Sequence, residues 1–381
     1  MIASISEKYE QTFDSTPEVK VQAPGRINII GEHTDYNLGF VLPAAINKYT
    51  FFAIGKNTSN TAKLLSEDYG ELSEISVHPQ RVEASGWLKY MESILIGLKE
   101  EGYEIGGFNL VFGGNIPIGA GLSSSAALTC GLLYALSELF ELGLSKEKIA
   151  KMAQASEHRV GLNCGLMDQY AVTFSKKDHC LFLDCRNLEY QYFPAVLDGY
   201  TIVLLDTCVA HELTDSEYNN RREDVESVVK IVQQKFPEVQ SPRDLTTKML
   251  VAVAGKIDST RIRRAEFVIN ENARVENTCA VLAQNDLVSM GKNLNASHHG
   301  LSKNYQVSCA ELDFLAEFAQ KDTNVLGARM MGGGFGGCTI NIVKNGYENE
   351  FITKASEAYK TATGIDLKAY HVDLGEGVKR V

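Results

Sequence analysis

Residues 108–142 constrain the fold of this chain most. A strand-like run, Phe108-Asn109-Leu110-Val111-Phe112-Gly113-Gly114, leads through Pro117-Ile118-Gly119-Ala120-Gly121-Leu122-Ser123-Ser124-Ser125-Ala126-Ala127 into a long helix. The helix is predicted over 124–142, with an apolar stripe at Leu128, Leu132, Leu133, Leu136 and Leu139. Glycine reaches backbone conformations closed to other residues and lets the chain approach a ligand closely. The free N–H groups of a helix's first turn, with the positive end of its dipole, favour an anion. The segment has neither the lysine of a Walker A loop nor the GxGxxG spacing. A capped turn needs one serine, and here three stand in a row. A phosphate-bearing ligand is expected at this helix start.

The second glycine cluster, Gly332-Gly333-Gly334-Phe335-Gly336-Gly337, formally contains GxGxxG. A dinucleotide turn would open a helix. The next residues, Cys338-Thr339-Ile340-Asn341-Ile342-Val343, instead form an alternating, β-favouring run. A loop between two strands, pressed against another backbone or a ligand, is the expectation. The apolar Met330, Met331 and Phe335 argue against a flexible hairpin tip.

Two polar groups complete the chemistry. Residues 23–37 (APGRINIIGEHTDYN) pack Arg26, Glu32, His33 and Asp35 between apolar strands, with Gly25, Gly31 and Gly39 around them. Donors and acceptors this dense suit a polyhydroxylated ligand, because each hydroxyl both donates and accepts. Unpaired buried polar groups are costly, so such a site can discriminate hydroxyl isomers strongly. Glu157, on a helix predicted over 146–159, and Asp168, in Cys164-Gly165-Leu166-Met167-Asp168, are the carboxylates a phosphoryl transferase needs. One would hold Mg²⁺ and the other would meet the nucleophile.

Composition bounds the rest. A length of 381 residues with 44% hydrophobic and 22% charged residues is ordinary for a globular chain, and excludes disordered and collagen-like classes. A net charge of −11 argues against nucleic acid and against an anionic membrane surface as partners. No stretch approaches the ~20 apolar residues of a membrane span. The first residues, MIASISEKYEQTFDS, carry charge and no apolar core, so no secretory signal is expected. The eight cysteines are dispersed without CxxC pairs, as expected of reduced core thiols in the cytoplasm. Strands are expected at 19–21, 41–54, 108–112 and 180–183, alternating with helices at 87–101, 124–142 and 146–159. Helices are predicted at 215–235, 259–285 and 309–320. Strands at 325–331 and 338–343, a helix at 347–363 and a strand at 369–372 complete the chain. This pattern, without a strict βαβ rhythm, predicts an α+β fold of two domains.

Taken together, three segments resemble the GHMP small-molecule kinases, and within them the galactokinase branch: GRINIIGEHTDYNLGFVLP (25–43), PIGAGLSSSAA (117–127) and GGGFGGC (332–338). The first is diagnostic of that branch. EHRVGLNCGLMDQY (157–170), LDCRNL (183–188), SEYNNRR (216–222) and NASHHGLSKNYQVSCAELD (295–313) extend the likeness over almost the whole chain. The resemblance implies an N-terminal domain like ribosomal protein S5 domain 2 (1–195) and a ferredoxin-like C-terminal domain (196–381). The last strand would be able to return to the first domain, and the active site would lie in the cleft between them. It implies a monomer that phosphorylates the C1 hydroxyl of galactose from ATP with Mg²⁺.

Matched residue by residue, Asp168 corresponds to the catalytic aspartate and Arg26 to the arginine facing it and the γ-phosphate. Glu32, His33, Asp35, Gly165 and Tyr218 correspond to sugar-binding positions. Pro117, Gly119, Ala120, Gly121, Leu122, Ser123, Ser124 and Ser125, with Gly333 and Gly334, correspond to the ATP cradle; Ser125 and Glu157 correspond to the Mg²⁺ ligands. Adenine contacts are sought around 63–66. Two departures stand out: Met331 where many members carry Thr, and Asp206 where many carry Asn. A catalytically silent sugar sensor and a kinase for another sugar, such as N-acetylgalactosamine, are the competing readings.

Overall fold

The computed structural model describes residues 1–117, 119–209 and 214–381, so Ile118 of the first glycine turn lies outside the described residues. Helix α1 (Ile2–Phe13) precedes β1 (Val19–Asn28), β2 (Phe40–Val41), β3 (Pro43–Lys56), β4 (Thr61–Ser66) and β5 (Glu71–Ser76). Then come α2 (Leu88–Glu100), β6 (Phe108–Gly114), α3 (Ser124–Leu139), α4 (Lys146–Arg159), α5 (Met167–Phe174), β7 (His179–Asp184) and β8 (Tyr190–Pro194). The remainder runs β9 (Tyr200–Asp206), α6 (Thr214–Gln233), α7 (Thr247–Val253), α8 (Ser259–Ala283), α9 (Leu287–His299) and α10 (Ala310–Gln320). It ends with β10 (Val325–Met330), β11 (Cys338–Lys344), α11 (Glu348–Thr363), β12 (Lys368–Val372) and β13 (Lys379–Arg380).

The first sheet has the order β13-β1-β3-β6-β4-β5, antiparallel except for the parallel pair β4–β6. Helix α3 lies on β1 and β3. It approaches closely because Gly131 has no side chain: a Cβ there would run into the Phe52 ring. Its Leu132, Leu133 and Leu136 are fully buried, each such side chain stabilising by about 1.5–3 kcal/mol. On the opposite face α1 places Ile5 and Tyr9 against Phe51 and Val111.

The second sheet, β10-β11-β9-β12, is antiparallel throughout. With α6 to α10 between β9 and β10, and α11 between β11 and β12, it has the split β-α-β-β-α-β connectivity of a ferredoxin-like unit. A small sheet, β2-β7-β8, sits beside the first.

Most predicted elements are present, with instructive differences. The strand expected over 41–54 breaks at Leu42: Phe40 and Val41 pair with β7, whereas Pro43 onward pairs with β1. The helix expected to reach 142 ends at Leu139, where Glu141 turns left-handed at φ 55°. Helices α1, α5, α7 and α9 and strands β4, β5, β8, β9 and β13 are not among the expected elements. β9, central in its sheet, is a short apolar run that periodicity alone does not classify. No helix among the described residues is long and apolar enough to cross a membrane. Cys130, Cys180, Cys185, Cys279 and Cys338 are buried free thiols.

Candidate active site

A bulge in β1 begins the site. Its register shifts between Pro24 and Arg26, and Arg26 N–H donates to the Leu122 carbonyl at 3.1 Å, fastening β1 to the first glycine turn. The buried Arg26 guanidinium grips Asp168 with two bonds, Nε to Oδ1 at 2.8 Å and Nη2 to Oδ2 at 3.1 Å. Nη1 donates to the Gly121 carbonyl at 2.6 Å. Burial opposes the arginine's charge, but Asp168, Glu32 and Asp35 outweigh it and raise its proton affinity.

Asp168 sits in the first turn of α5, where the helix dipole favours a carboxylate. Ser123 Oγ–H donates to its Oδ2. Ser123, left-handed at φ 59°, therefore makes no side-chain cap on α3; its hydroxyl fixes the acid. Ser124 and Ser125 are left at the open first turn of α3, half-buried.

A cavity of about 200 Å³ opens beside this pair, lined among others by Arg26, Asp168, Asp35, Tyr218 and Gly333. That is below the ~300–1,000 Å³ of sites for drug-sized ligands and suits a single sugar ring. Asp35 is buried, and burial with the nearby Asp168 charge pushes its carboxyl up to about 7. Gly165 is required here because a Cβ would overlap the Asp35 side chain. Tyr218, on α6, lays its ring against Gly333, and burial raises its hydroxyl well above its ordinary value.

Glu32 and His33 line the cavity, and one carboxylate oxygen of Glu32 and both ring nitrogens of His33 bond to the protein. Glu32 Oε1 accepts from the Gly332 N–H at 2.8 Å and from Arg329 at 3.1 Å. His33 Nε2 meets the Gly333 carbonyl at 3.2 Å, and Nδ1 meets the Tyr36 hydroxyl at 2.7 Å. Burial lowers its imidazole to about 3, so it is neutral. With both nitrogens engaged, His33 shapes the pocket; it has no ring nitrogen left for a sugar hydroxyl.

The glycine loop 332–337 packs on the first glycine turn and serine run, 119–125. A Cβ on Gly332 would stand 3.4 Å from the Gly121 carbonyl oxygen, and one on Gly337 would stand 3.6 Å from Ala120. Among the cradle residues, Ala120 and Leu122 are buried, and Pro117 is half-buried. Met331 is buried with its N–H on the Cys338 carbonyl at 2.9 Å, and Asp206 accepts from the Cys208 N–H at 2.9 Å. Neither departure reaches the Arg26–Asp168 pair.

On the far side of Ser124 and Ser125 a second cavity, about 440 Å³, is lined by Tyr69, Trp87, Lys89, Tyr90 and Leu128 among others. This aromatic hollow lies between the β4–β5 hairpin and α2, whereas the expected base-contact residues 63–66 belong to β4, paired with β5.

Glu157, almost fully buried, meets Thr129 Oγ1 at 3.4 Å, and the same hydroxyl donates to the Ser125 carbonyl at 3.0 Å. Burial and Asp168 push its carboxyl up to about 7.

Sequence reasoning missed three residues. Arg329, fully buried in β10, donates to the carbonyls of Asn28, Ile29 and Met330 as well as to Glu32. Its signal was a charge inside an apolar strand, which is paired when buried. Glu271 and Asn272 of α8 hold the sugar-side loop by accepting from the Gly31 and Phe40 N–H groups at 3.1 and 2.8 Å. Nothing local in the sequence of α8 marks them.

Comparison with known proteins agrees with this geometry. A family model described as the galactokinase galactose-binding signature matches residues 7–56; GHMP kinase N-terminal and C-terminal models match 89–176 and 279–361. A galactokinase of Thermotoga maritima is 40% identical over 365 residues, covering 95% of this chain and all of that protein. One of Staphylococcus carnosus is 38% identical over the full length of both. The chain belongs to the galactokinase family. The crystal structure of Lactococcus lactis galactokinase complexed with galactose superposes with a TM-score of 0.94 at 34% identity, covering 100% of this chain and 99% of that one. A mevalonate kinase structure, at 18% identity and TM-score 0.67, shares the GHMP kinase fold. The galactokinase cavity thus lies between the two halves of that fold, with residues from β1, α5, α6 and the glycine loop.

Proposed function

We propose that this kinase transfers the γ-phosphoryl group of ATP to the C1 hydroxyl of galactose, giving galactose 1-phosphate. One observation carries the reading: a sugar-sized cavity, lined by charged side chains among others, ends on the Arg26–Asp168 pair that Ser123 braces, beside an open helix start on the Gly119–Ser125 loop.

In this reading the triphosphate rests on the N–H groups of Ser124 and Ser125, and the base enters the aromatic hollow by Trp87. Asp35 and Tyr218 meet sugar hydroxyls. Asp168 takes the C1 proton as oxygen meets phosphorus; a carboxylate oxygen has two lone pairs, so a bond from Arg26 leaves room for another. Because phosphoryl transfer has a loose transition state, orienting the hydroxyl can matter as much as removing its proton. Arg26, held by Asp168 and Gly121, brings positive charge to the phosphoryl oxygens with no reorganisation.

The residues present fit Mg²⁺. Thr129 Oγ1, one turn along α3, lies within reach of both the Ser125 carbonyl and Glu157, and a cation there would favour the Glu157 carboxylate that burial disfavours. Mg²⁺ is held by one or two carboxylates plus phosphates and waters, a role Glu157 with Ser125 would fill. Bound with ATP, it would neutralise charge on the phosphate oxygens. A cytoplasmic setting, which rests on the dispersed cysteines, and the monomer that the resemblance implies are part of the same proposal.

A coupled ADP-release assay over galactose, glucose, N-acetylgalactosamine and mevalonate tests the reading, with the product's phosphate located by NMR. Galactose should lead. Faster turnover of N-acetylgalactosamine would reassign the substrate, and silence on every sugar with heat-stabilisation by galactose would favour a sensor. Asp168→Asn should lose ~10²–10⁴ in kcat; near-normal kcat would sink its role as base.

A further inference from the structure

Behind the cavity, the π-helical turn Gly300–Tyr305 ends in Gln306, left-handed at φ 60°. π-helical turns recur at functional sites. This one reaches the glycine loop by two routes. The Phe335 N–H donates to the Val307 carbonyl at 2.7 Å, and the missing side chain of Gly334 makes room for that carbonyl. The other route is a chain of side chains: Tyr305 hydroxyl to Tyr36 hydroxyl at 2.9 Å, Tyr36 to His33 Nδ1 at 2.7 Å, and His33 Nε2 to the Gly333 carbonyl at 3.2 Å.

Its direction follows from chemistry. A backbone carbonyl only accepts, so His33 Nε2 carries the hydrogen. A neutral imidazole then accepts at Nδ1, which uses the Tyr36 proton, and Tyr305 must supply the next one. The origin is anchored: the Arg221 guanidinium donates to the Tyr305 carbonyl at 3.1 Å, and the Tyr305 ring packs on Phe267 with centroids 4.7 Å apart. The far end, Gly333, belongs to the loop whose neighbour Gly332 rests on Gly121 of the phosphate loop.

We propose that Tyr305 is a positioning residue which, through Tyr36 and His33, sets the glycine loop over the phosphate cradle. The relay passes along the wall of the sugar cavity, so the sugar loop and the nucleotide loop share one set of hydrogen bonds. This rests on the reading of the chain as a galactose kinase. It predicts an effect on nucleotide use from a residue that touches neither substrate.

The test is a double-mutant cycle on the full chain. Tyr305→Phe keeps the ring and removes the donor. It should lower kcat/KM for ATP roughly 3–10-fold, the scale of one lost neutral hydrogen bond, with Tm nearly unchanged. In a Tyr36→Phe background the same substitution should add little, because the chain is already cut. Independent, additive effects, an unchanged kcat/KM for ATP, or a fall in Tm with all kinetic constants shifted alike would each overturn the proposal. If the wild type releases no ADP with galactose, the functional reading fails and the relay is judged by ¹⁵N NMR. His33 should be the Nε2–H tautomer, with an Nδ1 resonance that moves in Tyr305→Phe; an unmoved resonance overturns the relay.

Discussion

Gly119 faces open space: it is left-handed, at φ +80°, and a Cβ there would meet nothing within 4 Å. Gly334 is equally left-handed at φ +83°, yet a Cβ there would overlap the Val307 carbonyl. Two segments of similar composition thus use glycine in opposite ways. The first keeps backbone N–H groups clear for a ligand. The second lets protein meet protein, and through Glu32 and His33 it ties the second sheet's β10–β11 connection to the sugar-side loop.

The largest effect should come from filling the packed loop. Gly334→Ala is expected to cost about 5 kcal/mol or to prevent folding, read by denaturant unfolding, because neither the left-handed backbone nor the Val307 carbonyl can yield cheaply. A loss under about 1 kcal/mol would break the contrast.

Next is the pair behind that loop. Arg329→Met leaves Glu32 buried without its charge partner and should cost about 3–5 kcal/mol in the same measurement.

Gly119→Ala should be milder for stability, about 1–2 kcal/mol of left-handed strain. Its larger effect should fall on KM for ATP, with galactose affinity unchanged. Equal damage to both substrates would erase the distinction between an open and a packed loop.

The smallest effect is on pH. Asp35 has its carboxyl raised to about 7 in the fold, so the folded state holds a proton that the unfolded chain gives up near pH 4. Its contribution to stability is full below pH ~4 and is lost as pH rises towards 7. Relative to wild type, Asp35→Asn should gain Tm between pH 5.5 and 7.5 by a few degrees at most, by calorimetry; a relative loss would contradict the burial argument.

Asp168, Arg26 and the serine run were legible as chemistry because their types and spacing serve few other purposes. The glycine loop's packing was legible too, since six residues with five glycines and no following helix have little else to do. Roles within the site were less so. Ser123 reads as a cap or phosphate contact in sequence, but its left-handed backbone turns the hydroxyl to Asp168. Glu32 and His33 read as sugar ligands; the fold turns Glu32 Oε1 to Gly332 and Arg329 and both His33 ring nitrogens to Gly333 and Tyr36.

From sequence alone came the family, the order of most elements, the glycine–serine helix start and the residues of the Arg26–Asp168 pair. These are local properties: periodicity, glycine's backbone freedom and residue types at short spacing. Tertiary structure decided which polar atoms face the cavity and which are spent inside the protein, where the aromatic hollow lies, and that Arg329, Tyr305 and Glu271 support the site. Those assignments depend on partners 240 to 300 positions apart in the chain, as with Gly31–Glu271 and Glu32–Gly332. A buried polar atom must find a partner wherever packing supplies one, and no local pattern records which.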